Sequence, residues 1–380
     1  MDNLTHSLIG LAAAKAGLEK LSPGATALCL VAANIPDADV VTLIGGRWTY
    51  LHHHRGITHS IAGTIALALL VPLIFYLVDK LIARVRKRRP AVRLRGLLIA
   101  SLLVTASHPF MDWTNNYGVR PLLPGSSRWF YGDFVFIIDP FIWLILGGAT
   151  FLVTSKSKKQ IAGWLILAII PTYLILFGPG NRGALGNARV VQIIWIVALV
   201  TCVVLFMREA GKRWGSRIPL SALGIFSIYL AGLFLIHTVA VRRAQAEGVK
   251  IANVNGERAL EVAAMPTAAN PFQWSCVVET EKAAYRFNVS LLDQQSEKAA
   301  PIRHPKPEAL RSPAVAQSIN SYPAQVFLDF ARFPVVRVVG EDCLTQTLVQ
   351  FADLRYTEPG SGRGTFSLDV PVACPQPATD

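Results

Sequence analysis

Apolar positions gather in long unbroken runs over the first two thirds of the chain and in short alternating ones over the last third. Six stretches, near 57–79, 94–111, 134–154, 161–178, 190–207 and 218–240, are each about the ~20 residues a helix needs to cross the hydrocarbon core of a bilayer. Two shorter apolar runs, 4–18 and 24–36, precede them. Ser22-Pro23-Gly24 between these two is a turn signal, so the pattern predicts an antiparallel helical hairpin over 4–36. At ~22 Å each, from 1.5 Å of rise per residue, the two arms either just span the membrane or enter one leaflet.

After about Val241 the pattern becomes polar and Pro-containing. Asn255-Gly256 predicts a β-hairpin between strands 249–254 and 257–264. Further strands are expected near 273–281, 284–291, 335–340, 345–353 and 365–371, with a Pro-rich connector at 301–323 carrying one helix around 308–319. The expected fold class is an all-α polytopic membrane helical bundle over 1–240, followed by a smaller extracytoplasmic α+β domain over 241–380.

Composition agrees with that reading. A hydrophobic fraction of 52% beside a charged fraction of 16% is wrong for a single water-soluble globule. The net charge of +13 would suggest a nucleic-acid partner, but the charges sit where membrane proteins collect them. Loops 80–95, 155–160 and 208–217 hold fifteen Lys and Arg, whereas the alternate loops 112–133 and 179–189 hold four. The rich loops are therefore expected in the cytoplasm, the chain after Val241 outside it, and no nucleic acid is expected as a partner; a protein partner is left open. Met1-Asp2-Asn3 lacks the basic start of a removable signal peptide. The five cysteines form no CxxC; Cys29 and Cys202 lie in apolar runs, and Cys276, Cys343 and Cys374 permit one extracytoplasmic disulfide.

The candidate chemistry follows from this map. His6 opens the first arm of the hairpin, and Asp37 and Asp39 close the second, so antiparallel pairing brings them together. His52, His53, His54 and His59 stand at the entrance of the first long span. His108 and Asp112 stand at the exit of the second, on one helical face by their i, i+4 spacing. Four separate segments thus deliver His and Asp to one side of the membrane. Neutral imidazole and carboxylate are usual ligands of Zn²⁺, and Asp bridges suit two-metal sites that activate water. Taken singly, each has an ordinary role: a capping Asp, an interfacial His, a solvated loop. Asp133 is either a ligand or a cap, Asp139 is expected to face the bundle, and Arg55, Arg120 and Arg128 either hold a phosphate oxygen or anchor the interface beside Trp113 and Trp129. His237 and His304 are expected to be packed or surface residues. Neither GxSxG nor a P-loop occurs, and Gly178–Gly183 reads as a turn.

The strings DNLTHSLIG, NIPDAD, HRGITHS, HPFMDWTNNYG and RWFYGDFVFIIDPFIW resemble those of bacterial membrane-bound, metal-dependent hydrolases of the YdjM/YbcI type, closely over 1–150. The resemblance implies a multi-pass inner-membrane protein. It also implies a divalent-metal site made by His6, Asp37, Asp39, His54, His59, His108 and Asp112. The HxxxD pair His108/Asp112 is similar to that of all-helical zinc-dependent phospholipase C and nuclease enzymes. The resulting expectation is a hydrolase with one or two Zn²⁺-like ions bound by His6, Asp37, His54, His59, His108 and Asp112. Asp39 would be its general base, and its substrate a lipid or other phosphoester at the outer face. The alternative is a non-enzymatic membrane protein with a structural or sensed metal and a partner-binding C-terminal domain.

Overall fold

A computed structural model describes residues 1–177, 188–292, 300–310, 312–340, 346–360 and 366–373. Cys343, Cys374 and the Gly178–Gly183 turn lie outside the described residues. The chain divides into two compact units: Met1–Asp39, Arg55–Phe234 and Thr267–Asn270 form the first, and Val40–His54, Leu235–Pro266 and Pro271–Asp380 the second.

The first unit is helical. It holds α1 (Asn3–Ala16), α2 (Ala25–Asn34), α4 (Ile61–Val85) and α5 (Leu94–Trp113), then α6 (Pro140–Ile142), a π turn over Trp143–Gly147, α7 (Gly148–Thr154), α8 (Lys158–Phe177), α9 (Ala188–Met207) and α10 (Ala210–Trp214). The short α3 (Arg47–His53) falls in the second unit, and the division between the units lies within α11 (Arg217–Val254), after Phe234. Six helical segments among the described residues are long and apolar enough to cross a membrane: Ala25–Gly45, Ile61–Val85, Leu94–Trp113, Lys158–Phe177, Arg189–Met207 and Arg217–Val254. Their outward faces are apolar, with Leu165, Ile169 and Val197 all exposed, which in water would be a defect and in lipid is the solvated state. The chain is thus a polytopic helical bundle followed by an α+β region.

The predicted hairpin is present and has a clear extent. Asp2 caps α1 by accepting from the Thr5 N–H (2.9 Å), and the chain reverses after Gly17, with Ser22-Pro23-Gly24 leading into α2. At the turn, Ser22 Oγ accepts from the Arg93 N–H at 2.9 Å, beside the start of α5. At the other end, His108 Nδ1 reaches the carbonyl of Ala33. The hairpin therefore runs alongside α5 from one end to the other, about 30 Å for 20 residues. Small residues make this closeness attainable: Ala14, Ala25, Cys29, Ala32, Ala33 and Ala100 are all buried in one cluster with Leu28 and Leu97.

Residues 134–139, expected at the start of the third span, precede the helix. Asp139 is its N-cap, with Oδ1 accepting from the N–H groups of Phe141 (2.8 Å) and Ile142 (3.2 Å), and Oδ2 accepting from the Tyr229 hydroxyl at 2.8 Å. Pro140 at the first helical position fits the cap, because its missing N–H would have no partner there.

The second unit contains two antiparallel sheets, one ordered β1 (Glu261–Thr267), β2 (Asn270–Glu279), β3 (Ala283–Ser290), β4 (Ile302–Pro305), the other β5 (Pro334–Val339), β6 (Gln346–Asp353), β7 (Ser367–Ala373), with α12 (Pro313–Ile319) and α13 (Tyr322–Phe330) between them. The six strands expected from 257 onward are present with shifted ends, and β4 lies inside the Pro-rich connector. One expectation fails. Residues 249–254 are the last turns of α11, and Asn255-Gly256 ends a helix. Ala240, Ala244, Gly248 and Ala252 recur every fourth residue and are all buried, and at Gly248 an added Cβ would lie 3.1 Å from both Val262 and Val278 of the sheet. The same dipeptide that favours a hairpin turn also suits a helix end, since Gly256 takes φ +67°.

Candidate metal centre

Each element of the first unit places its residue for a local reason. Pro36 disfavours continuation of α2, and the chain passes into 3₁₀ turns over Ile35–Gly45 that carry Asp37 and Asp39. His59 ends a single 3₁₀ turn (Ile57–His59) just before Ser60 caps α4 through the Gly63 N–H. His108 and Asp112 lie one turn apart on α5.

Four donor atoms converge. His59 Nε2 lies 3.2 Å from His108 Nε2, 3.4 Å from Asp37 Oδ1 and 3.2 Å from Asp112 Oδ2. His108 Nε2 lies 3.4 Å from Asp37 Oδ1 and 3.4 Å from Asp112 Oδ2. A tetrahedron of N and O ligands about an ion at Zn²⁺-like bond lengths has edges of about 3.3–3.4 Å. The cage therefore has the right size before any ion is considered, and the group as a whole could hold a metal ion.

The outer nitrogens of both imidazoles are already engaged. His108 Nδ1 is 2.6 Å from the Ala33 carbonyl, which can only accept, so Nδ1 carries the proton and Nε2 presents a lone pair. His59 Nδ1 faces Thr58 Oγ1 at 3.0 Å and Asp39 Oδ2 at 3.5 Å, and Thr58 Oγ1 in turn donates to Asp39 at 3.4 Å. With a carboxylate on that side, His59 is also held with Nε2 turned inward, the arrangement that backs metal-bound histidine. Two lone pairs and two carboxylate oxygens then face one another across about 3 Å. Asp112 Oδ2 is buried without a hydrogen bond. Such an arrangement is costly unless a cation sits within it, and the residues present fit one.

His59, His108 and Asp112 are almost fully buried, whereas the Asp37 side chain is 17% exposed. Asp37 is thus the open side of the cage.

The other expected residues divide. His6 is buried, stacked on His108 with ring centroids 3.7 Å apart, and its Nε2 lies 3.4 Å from Asp112 Oδ1; neither of its nitrogens makes a hydrogen bond. Asp39 stands behind His59 and also accepts from the Arg55 N–H at 3.0 Å. His52, His53 and His54 fall in the second unit, where the His54 ring stacks on Tyr50 with centroids 4.6 Å apart. Asp133 is buried with φ +60°. Arg120, buried, and Arg128, exposed, stack over Trp129 and Phe130, at 4.6 and 5.3 Å from the ring centroids. In the second unit His237 Nε2 contacts the Ala264 carbonyl at 3.1 Å, a packing role.

Sequence reasoning named Arg55 but not its pairing with Asp112, and it missed the Met1 amine, Asn115 and the Ala33 carbonyl. Arg55 is buried, and its guanidinium pairs with Asp112 Oδ1 at 3.0 Å; the terminal amine of Met1 contacts the same oxygen. Asn115 Oδ1 accepts from Arg55 at 3.0 Å. The Ala33 carbonyl carries no side-chain signal at all, and only the packing of α2 on α5 points it at His108.

Among known proteins, the chain is 28% identical over 154 residues to an uncharacterized protein, YfhP, of Bacillus subtilis (strain 168), covering 38% of this chain and 43% of that protein. The chain thus matches less than half the length of that relative. No solved structure matches. Residues 1–181, which carry all four cage residues together with His6, Asp39 and Arg55, match the model of the family described as YdjM inner membrane protein.

Proposed function

We propose that the chain is a membrane-bound hydrolase with one or two divalent ions, Zn²⁺ or a close equivalent, held by His59, His108, Asp37 and Asp112. Its substrate class is a phosphoester or similar bond, including that of a lipid, reached from the extracytoplasmic face of the inner membrane. The observation that carries the reading is the cage itself: four donors with five of their six separations at 3.2–3.4 Å, and both imidazoles oriented from behind. A bound ion would supply Lewis acidity and lower the pKa of a coordinated water towards ~7. The residues do the rest. Asp39 fixes the His59 tautomer and is the proposed acceptor of the proton from water; Asp37, on the open side, is the ligand that can yield room. His6 is proposed as a further ligand from its position at Asp112, and His54 from the motif alone. The outward placement rests on the fifteen-to-four asymmetry of basic loop residues, which puts the 80–95 loop in the cytoplasm and the opposite ends of α4 and α5 outside.

A second reading has its own support. Four protein donors that close a tetrahedron are the mark of a structural site, whereas a catalytic ion keeps a position for water. Metal content, thermal stability and phosphodiester hydrolysis of the detergent-purified protein separate the two. In the hydrolase, His108→Ala and Asp112→Asn lose metal and turnover together, while Asp39→Asn keeps metal and loses about 10²-fold or more in turnover. Full metal content in both ligand variants would sink the centre. Metal loss with lowered stability, and no hydrolysis in any variant or in the parent, would leave a binding module.

A further inference from the structure

Arg55 is held more firmly than a surface-anchoring arginine requires. Its backbone takes φ +52°, a conformation rare for a residue with a Cβ, and its N–H is fixed by Asp39 Oδ2. The guanidinium donates to the Asp112 carbonyl at 3.1 Å and to Asn115 Oδ1 at 3.0 Å, pairs with Asp112 Oδ1 at 3.0 Å, and lies 4.5 Å from the centroid of the Tyr117 ring. Asp112 is therefore divided: Oδ2 faces the cage, and Oδ1 faces Arg55, with the Met1 terminal amine and His6 Nε2 beside it.

In a two-metal site a carboxylate in that place bridges, one oxygen to each ion. Here the second oxygen is already met by a fixed side-chain cation, buried and directed by a planar fork. Charge points the same way. Three carboxylates, Asp37, Asp39 and Asp112, face the Arg55 guanidinium and, at Asp112 Oδ1, the terminal amine of Met1, so one divalent ion is enough to meet the negative charge that remains. A second ion would put uncompensated positive charge in a buried site.

We propose that Arg55 is a positioning residue that stands in the place of a second metal: it keeps Asp112 from bridging and limits the centre to one ion. The proposal rests on the metal reading above and adds the ion count.

The test counts Zn²⁺ per chain, by elemental analysis and competition titration, on the full-length detergent-purified protein after stripping and reloading. The parent should hold one ion. Arg55→Lys keeps the charge but loses the fork, so it should hold one ion with affinity lower by about 10–100-fold, the scale for loss of an orienting partner. Arg55→Ala removes the guanidinium from Asp112 Oδ1, leaving there the Met1 amine and His6 Nε2, and should take more than one ion at saturating Zn²⁺. Two ions in the parent, or one ion at parental affinity in Arg55→Ala, overturns the proposal. Should Arg55→Ala fail to fold, Asn115→Ala, which removes one acceptor of the guanidinium and keeps its charge, should hold one ion more weakly; unchanged affinity there counts against the proposal. A parent that binds no Zn²⁺ removes the metal reading and this one with it. The expected ion counts without any hydrolysis support Arg55 in its role and reject the hydrolase alone.

Discussion

His108 is fixed from two sides, with one ring nitrogen bound by a backbone carbonyl from α2 and the other facing His59, Asp37 and Asp112. The neighbouring His6 ring, stacked on its face, closes a third side. Single side chains in the second unit are tied down by similar pairing. Glu257, just after α11, shows this by its ionisation. Partial burial would raise its carboxyl, but hydrogen bonds from the Thr280 hydroxyl and the Arg303 guanidinium hold it below the usual carboxylate range. A depressed folded-state value means stability that is present above the ordinary Glu pKa of about 4.3 and lost as pH falls through the lower folded value. Glu257→Gln should therefore melt at a lower temperature than the parent at pH 7. The two melting temperatures should converge as the pH is lowered below about 4. A gap that stays constant from pH 7 to pH 3 would assign the difference to packing instead.

Elements meet in the hairpin of α1 and α2, where close approach depends on missing side-chain atoms. A Cβ at Gly10 would stand 2.6 Å from the Cys29 carbonyl oxygen and 2.9 Å from Ala33 Cβ, so the two helices must separate to accept it. Gly163, in α8, has nothing within 4 Å of the same point. The two Gly→Ala changes should consequently have opposite signs. Gly10→Ala should destabilise by about 1–3 kcal/mol and weaken metal binding, because His6 and the Ala33 carbonyl ride on the helices it pushes apart. Gly163→Ala should be neutral or stabilising by up to about 1 kcal/mol from helix propensity. Thermal melts and Zn²⁺ titrations of both variants check this; equal behaviour would mean that the contact between α1 and α2 tolerates extra volume.

At the scale of the whole molecule, orientation is the property with the widest consequence, since it decides which compartment the proposed metal centre faces. Asp79 anchors the loop 80–95 by accepting from the N–H groups of Ala91 and Val92 at 2.8 and 3.0 Å and pairing with Arg88. This basic loop joins the ends of α4 and α5 remote from His59 and His108. A reporter enzyme fused after Gly256 should be active only when it requires the extracytoplasmic compartment, and one inserted in 80–95 only in the cytoplasm. Cytoplasmic activity after Gly256 would turn the proposed site to the other face.

Much of this was written along the chain because membrane burial acts on each segment independently. A run of about 20 apolar residues is committed to helix in lipid whatever its neighbours do, and Ser22-Pro23-Gly24 reverses the chain locally. The convergence of His6, Asp37, His59, His108 and Asp112 followed from those same helix ends, since antiparallel neighbours bring their termini together. Other features depended on contacts between distant segments. Asn255-Gly256 suits two kinds of turn, and only the packing of Ala240, Ala244, Gly248 and Ala252 in the second unit settled on a helix end. Nothing in the residue Ala33 indicates that its carbonyl will set the His108 tautomer, because every residue has a carbonyl and only the packing of α2 on α5 aims this one. Arg55 read as an interfacial charge from its neighbours in sequence. Its pairing with Asp112, 57 positions away, comes from the folded site, where a buried carboxylate and a buried guanidinium each require the other.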